Sequence, residues 1–94
     1  MTTYKLSLEA EDDLNVIWVF GLERFGETQA DKFYYELLSH CQNVADNPKQ
    51  YPAVDEIRTG YRRSVFSNHA IFYREKEGFV EVTRIYGRQN PNKI

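Results

Sequence analysis

The spacing of apolar residues in this chain changes period twice. Thr3 to Leu8 alternates, with Tyr4, Leu6 and Leu8 on one face, which predicts a short half-buried strand. Ala10, Leu14, Ile17, Trp18, Gly21 and Phe25 then recur at i, i+4, i+7, i+8, i+11 and i+15, one face of a helix. Ser7 stands where a helix cap belongs. Glu9, Glu11, Asp12 and Asp13 fill the first turn, where carboxylates meet the positive end of the helix dipole. The same logic places Trp18 in the core and reads the acidic set as a solvated helix start. Val16 and Phe20 lie beside the main stripe, either widening the buried face or offering a contact surface. Gly26 suits the left-handed residue that ends a helix.

A second helical stripe follows: Ala30, Phe33, Tyr34, Leu37, Leu38, Cys41, Val44 and Ala45. Thr28 and Asp31 form its start signal, and Asn47-Pro48 stops it, because the residue before proline avoids helical angles. A joint of about two or three residues folds the two helices back antiparallel. Asn47 to Thr59, with Pro48 and Pro52, reads as a loop.

Beyond it the period becomes that of strands: Gly60 to Phe66, His69 to Arg74 and Phe79 to Gly87, joined by turns at Ser67-Asn68 and Lys76-Glu77-Gly78. Turns this short predict an antiparallel meander. The order β-α-α-β-β-β is α+β: a helical hairpin packed on one face of a small, mainly antiparallel sheet, with residues 1–94 forming one domain. The last strand is ambiguous. One of its faces reads Val80, Val82, Arg84, Tyr86, Arg88 and the other Phe79, Glu81, Thr83, Ile85, Gly87, so both are mixed.

Charge changes this picture. Residues 1–57 hold 4 Lys/Arg against 11 Asp/Glu, and residues 58–94 hold 8 against 3, so a net charge of -2 hides a basic C-terminal third. Arginines there are interleaved with Tyr and Phe, a composition suited to an anionic protein or nucleic acid. Six arginines lie between positions 58 and 88: Arg58, Arg62, Arg63, Arg74, Arg84 and Arg88. One or two would be ordinary protection of sheet edges. Six, with a single nearby lysine at Lys76, point to recognition, because the planar guanidinium grips carboxylates and phosphates bidentately where lysine does not.

Other chemistry is poorly served. His40 and Cys41 are adjacent on a helix and diverge, His69 lies on a distant strand, and no metal site is expected. Cys41 sits in an apolar stripe, where a thiol is inert. No glycine elbow presents a serine, and no glycine loop cradles phosphate. Neither a cofactor nor a catalytic residue is expected. The single cysteine excludes an internal disulfide and fits a reducing compartment. Residues 1–10 lack the apolar stretch of a secretory signal, and no run approaches the ~20 apolar residues that span a bilayer, so a cytoplasmic location is expected.

Several motifs, taken in order, resemble one family. They are Tyr4-x-Leu6-Ser7, Ala10-x-x-Asp13-Leu14-x-x-Ile17-Trp18, Gly60-Tyr61-Arg62-Arg63, His69-Ala70-Ile71-Phe72-Tyr73-Arg74, and Val80-Glu81-Val82-Thr83-Arg84-Ile85 closing on Gly87-Arg88. Together they are similar to the ParE toxins of the RelE/ParE superfamily, the toxin halves of bacterial type II toxin–antitoxin pairs. The resemblance implies a toxin that inhibits DNA gyrase by binding and is not itself an enzyme. It also implies neutralisation by a ParD-like antitoxin whose C-terminal segment lays apolar residues along the helical hairpin and acidic ones near the basic sheet. Antitoxin or target contact is expected from Arg58, Tyr61, Arg62, Arg63, Tyr73, Arg74, Arg84 and Arg88, without sequence-specific binding of nucleic acid. Two alternatives stay open: a RelE-type ribosome-dependent mRNA endonuclease and a non-toxic antitoxin-binding module. Lys49 is the one cation between Asp46 and Glu56, and no Tyr or His follows Arg88, which weakens the nuclease alternative.

Overall fold

The computed structural model describes residues 2–87. Its elements are β1 (Thr3–Leu6), α1 (Leu8–Phe25), α2 (Glu27–Asp46), a 3-10 turn (Pro48–Gln50), β2 (Arg62–Phe66), β3 (His69–Lys76) and β4 (Phe79–Tyr86). The strands form one sheet in the order β1-β4-β3-β2, with β1 parallel to β4 and the other pairs antiparallel. Both helices pack on the same face of this mixed four-stranded sheet.

Ser7 organises the first corner. Its backbone N–H donates to the Val82 carbonyl at 2.9 Å and so ends β1. Its hydroxyl accepts from the Ala10 N–H at 3.0 Å and donates to the Thr83 carbonyl at 2.8 Å. One residue thus closes a strand, caps a helix and ties both to β4. Leu8, expected on the strand, is instead the first residue of α1 and lies exposed.

The joint between the helices is Gly26 alone, at φ 88° and ψ 170°. This is shorter than the expected two or three residues. It also removes the expected cap of α2: Gly26 occupies the cap position and no side chain caps the helix. Asp31 is turned to another use, accepting the indole N–H of Trp18 at 2.8 Å. Trp18 is therefore half-buried at the hairpin seam, not deep in the core.

The main core lies between hairpin and sheet. Leu14, Ile17, Leu37, Cys41 and Val44 meet Ile71, Tyr73, Val80, Val82 and Ile85. The two mixed faces read for β4 are reconciled by a β-bulge. Phe72 pairs with Arg84 and Tyr73 with Val82, so Thr83 is the extra residue. One added residue reverses the parity of the strand. Val80, Val82 and Ile85 then share the core face, while Phe79, Glu81, Arg84 and Tyr86 share the other. The Thr83 hydroxyl donates to the Phe72 carbonyl at 3.2 Å within the irregularity.

Residues 51–61 are not a free loop. Ala53 bridges Arg62 in antiparallel fashion, and the Val54 N–H donates to the Tyr61 carbonyl at 2.9 Å. This brings Val54 onto the sheet face opposite the helices. There Val54, Tyr61, Phe72 and Tyr86 form a second, smaller core. The Ser67-Asn68 turn has φ of 50° and 65°, the positive pair that a two-residue hairpin loop needs.

Candidate partner-binding surface

Strand parity assigns the candidate residues to faces. Arg63 pairs with Phe72 and Arg74 with Glu81, and both pairs lie on the face away from the helices. Arg84 and Tyr86 join them by way of the bulge. Lys5, opposite Glu81 on β1, falls on the same face, with its ammonium 4.5 Å from the Phe79 ring centroid. The result is a basic, aromatic surface.

Tyr61 is its aromatic centre. The ring is 7% exposed, wedged among Val54, Phe72 and Tyr86. The guanidinium groups of Arg58 and Arg74 lie 5.6 and 5.5 Å from its centroid, within cation–π range. Arg84 stands over Tyr86 at 4.6 Å. Burial pushes the Tyr86 hydroxyl above its ordinary range, so it stays protonated at neutral pH.

The cations are held to different degrees. Arg74 donates from Nε to Glu81 at 2.8 Å, a hydrogen bond that raises its pKa further. Arg84 is gripped bidentately: Nε donates to Asp13 Oδ2 at 2.8 Å and Nη2 to Oδ1 at 2.9 Å. This hydrogen bonding raises the Arg84 pKa as well. Among the described residues Arg63 and Arg58 have no ion-pair partner.

Two candidates lie elsewhere. Arg62, next to Arg63 on β2, faces the helix side, and its Nη1 donates to the Tyr51 carbonyl at 2.6 Å. Adjacent strand residues point to opposite faces, so Arg62 and Arg63 cannot both serve one surface. Tyr73 is a core residue with no exposed surface, and its hydroxyl donates to the Pro48 carbonyl. The expectation that it contacts a partner is therefore corrected: it braces the 3-10 turn against the sheet. Arg88 lies outside the described residues.

Residues the sequence reading passed over contribute as much. Asp13, read as part of a solvated helix start, is 5% exposed and receives a third donor, the Ile85 N–H, at 2.9 Å. Its spacing carried the signal: it stands three residues after Ala10 and four before Ile17, inside the apolar stripe. Val54 stands in a stretch broken by Pro52, Asp55 and Glu56, with no periodicity to mark it.

A second surface lies at the hairpin tip. Ile17, Phe20, Phe25 and Phe33 line an apolar cleft of about 420 Å³ beside the β2–β3 turn. Phe25 is 68% exposed at its mouth. The histidines belong to the helix side of the sheet. His40 is 2.6 Å from the Ser64 hydroxyl, stacks on Phe66, and has its pKa lowered by burial. His69 lies against Phe33, also on the helix side. Cys41 is fully buried, and that burial pushes its thiol up to about 12. No helix among the described residues is long and apolar enough to cross a membrane.

Known proteins are similar to this chain in sequence and in fold. A family model described as "ParE toxin of type II toxin-antitoxin system, parDE" matches residues 4–91. A curated relative named Toxin ParE1 from Mycobacterium tuberculosis (strain CDC 1551 / Oshkosh) is 39% identical over 83 residues, covering 87% of this chain and 85% of its own length. Another Toxin ParE1, from Caulobacter vibrioides, is 35% identical over 74 residues, covering 79% and 77%. A solved structure titled as a chromosomal ParDE TA system from P. aeruginosa superposes with a TM-score of 0.78 at 18% identity, covering 90% of this chain and 94% of that one. That likeness is one of fold; the family model and the curated relatives carry the rest. On those grounds this chain belongs to the ParE family, the toxin component of type II toxin–antitoxin systems.

Proposed function

We propose that this protein inhibits DNA gyrase by binding, without breaking or making a covalent bond itself, and that it acts in the cytoplasm. A cognate ParD-like antitoxin neutralises it by laying an acidic segment over the open sheet face and apolar residues into the cleft at the hairpin tip. The carrying observation is the open face itself. It gathers Arg58, Arg63, Arg74 and Arg84 around Tyr61 and Tyr86, while His40 and His69 are placed on the other side of the sheet. Arginine is among the residue types that dominate protein–protein recognition, and here the guanidinium groups stand over the nearly buried rings of Tyr61 and Tyr86. Proton transfer at a scissile phosphate needs an acid or base within hydrogen-bond reach, and this face supplies mainly permanently charged guanidinium groups.

The test is a gyrase supercoiling assay with purified protein, beside Arg63→Glu. The wild type should block supercoiling, the antitoxin encoded beside this chain should restore it, and Arg63→Glu should lose inhibition while melting at the wild-type temperature. Undisturbed supercoiling together with translation-linked mRNA cleavage in induced cells would replace this reading with a nuclease.

A further inference from the structure

Asp13 is the one buried carboxylate among the described residues, and nothing in the proposed binding mode uses it directly. It faces Arg84 and the backbone N–H of Ile85 and accepts all three donors at 2.8 to 2.9 Å. These contacts join α1 to β4 at the bulge that decides which β4 residues reach the open face. They also fix the guanidinium plane. Two of the five N–H donors of Arg84 go to Asp13, and the remaining three have no partner among the described residues. The side chain stays 34% exposed, standing over Tyr86 at 4.6 Å.

The geometry points to Asp13 as a positioning residue: it holds Arg84 so that the unengaged edge of the guanidinium meets a carboxylate of the antitoxin at a set angle. This inference rests on the reading of the open face as the antitoxin surface. It differs from a charge-only account in the sign of one effect. Asp13→Asn removes a negative charge from beneath a face that binds an anionic partner. If net charge governs affinity, the variant binds more tightly and associates faster. If orientation governs it, the variant binds more weakly although its face is more positive, because a freed guanidinium must be ordered again on binding.

The experiment is calorimetric titration of the antitoxin encoded beside this chain into wild type, Asp13→Asn, Arg84→Lys and Arg63→Glu. The expected result is about tenfold weaker binding for both Asp13→Asn and Arg84→Lys, the value of roughly one oriented charge-assisted hydrogen bond. Arg84→Lys keeps the charge but loses the planar fork, and it decides the matter if Asp13→Asn fails to fold. Wild-type or tighter affinity for the folded variants, with Arg63→Glu weakened, overturns the positioning role alone. Wild-type affinity for Arg63→Glu as well overturns the reading of the face and this inference with it.

Discussion

Replacing Gly26 by alanine isolates a backbone effect from packing effects. This residue is the whole connection between α1 and α2, at φ 88° and ψ 170°. A Cβ built on it meets nothing within 4 Å, so neither clash nor cavity enters. What remains is conformational. That quadrant is essentially glycine's alone, and an L-residue held there costs about 1–3 kcal/mol. Alanine also narrows the unfolded ensemble, an opposing gain of about 0.4–1 kcal/mol. The net destabilisation is about 1–2 kcal/mol, or roughly 4–16 °C in Tm for a chain of this size.

Gly21 supplies the control of opposite sign. It lies inside α1, where an added Cβ sits 3.5 Å from the Ala30 Cβ, an ordinary contact. Alanine is favoured over glycine in a helix interior by up to ~1 kcal/mol, so Gly21→Ala should raise stability. Urea titration followed by far-ultraviolet circular dichroism and by Trp18 fluorescence reads both. A D-alanine at position 26 should reverse the loss, since the mirror image of its angles is ordinary extended backbone. Gly26→Ala at or above wild-type stability would refute the one-residue reversal, because any other joint geometry leaves that position unstrained.

Three further outcomes follow from buried and half-buried groups. Cys41 ionises at about 12 when folded and near 9 when unfolded, so above that lower value the unfolded chain binds fewer protons. Stability should fall as pH rises between the two values, and urea midpoints should fall less steeply there in Cys41→Ala, with a residual slope left by the raised Tyr4, Tyr73 and Tyr86 hydroxyls. Tyr73→Phe leaves the Pro48 carbonyl without its donor and should cost about 1 kcal/mol, while antitoxin affinity stays at the wild-type value. Asp31→Ala strips the acceptor from the Trp18 indole and should shift the emission of this sole tryptophan, with a loss of about 1 kcal/mol in chemical denaturation.

Local chemistry was legible wherever a residue type is tied to a backbone geometry. Ser7 announced a cap, Gly26 a positive φ and Ser67-Asn68 a tight turn, and all three do those jobs. The face of each arginine was not legible, for a physical reason. Side-chain direction in a strand depends on parity, and one inserted residue at Thr83 inverts it for everything downstream. Ile71, Phe72 and Tyr73 are all buried, one cluster on each side of the sheet, so no polar alternation distinguishes Tyr73 in the main core from Phe72 in the small one. The pair Arg62-Arg63 had to divide between faces, but only the register with β3 says which goes where.

The pairing of these arginines also decides what kind of anion the face suits. Arg74 and Arg84 are already neutralised by Glu81 and Asp13. Among the described residues, the cations on this face without an ion pair are Lys5 and Lys76 toward the Phe79 end and Arg58 and Arg63 toward the Tyr61 end. Binding to duplex DNA depends on released counterions, with a slope of about -0.9 per phosphate neutralised. Four contacts would lose about a hundredfold in affinity between roughly 50 and 200 mM salt, leaving only weak, non-specific association. An acidic polypeptide is matched differently, because oriented donors and buried aromatic area act at short range and are screened less. Antitoxin affinity should therefore survive the salt change that releases a fluorescent duplex, with anisotropy reading both. Tight duplex binding that persists at the higher salt would mean that the open face is a nucleic-acid surface.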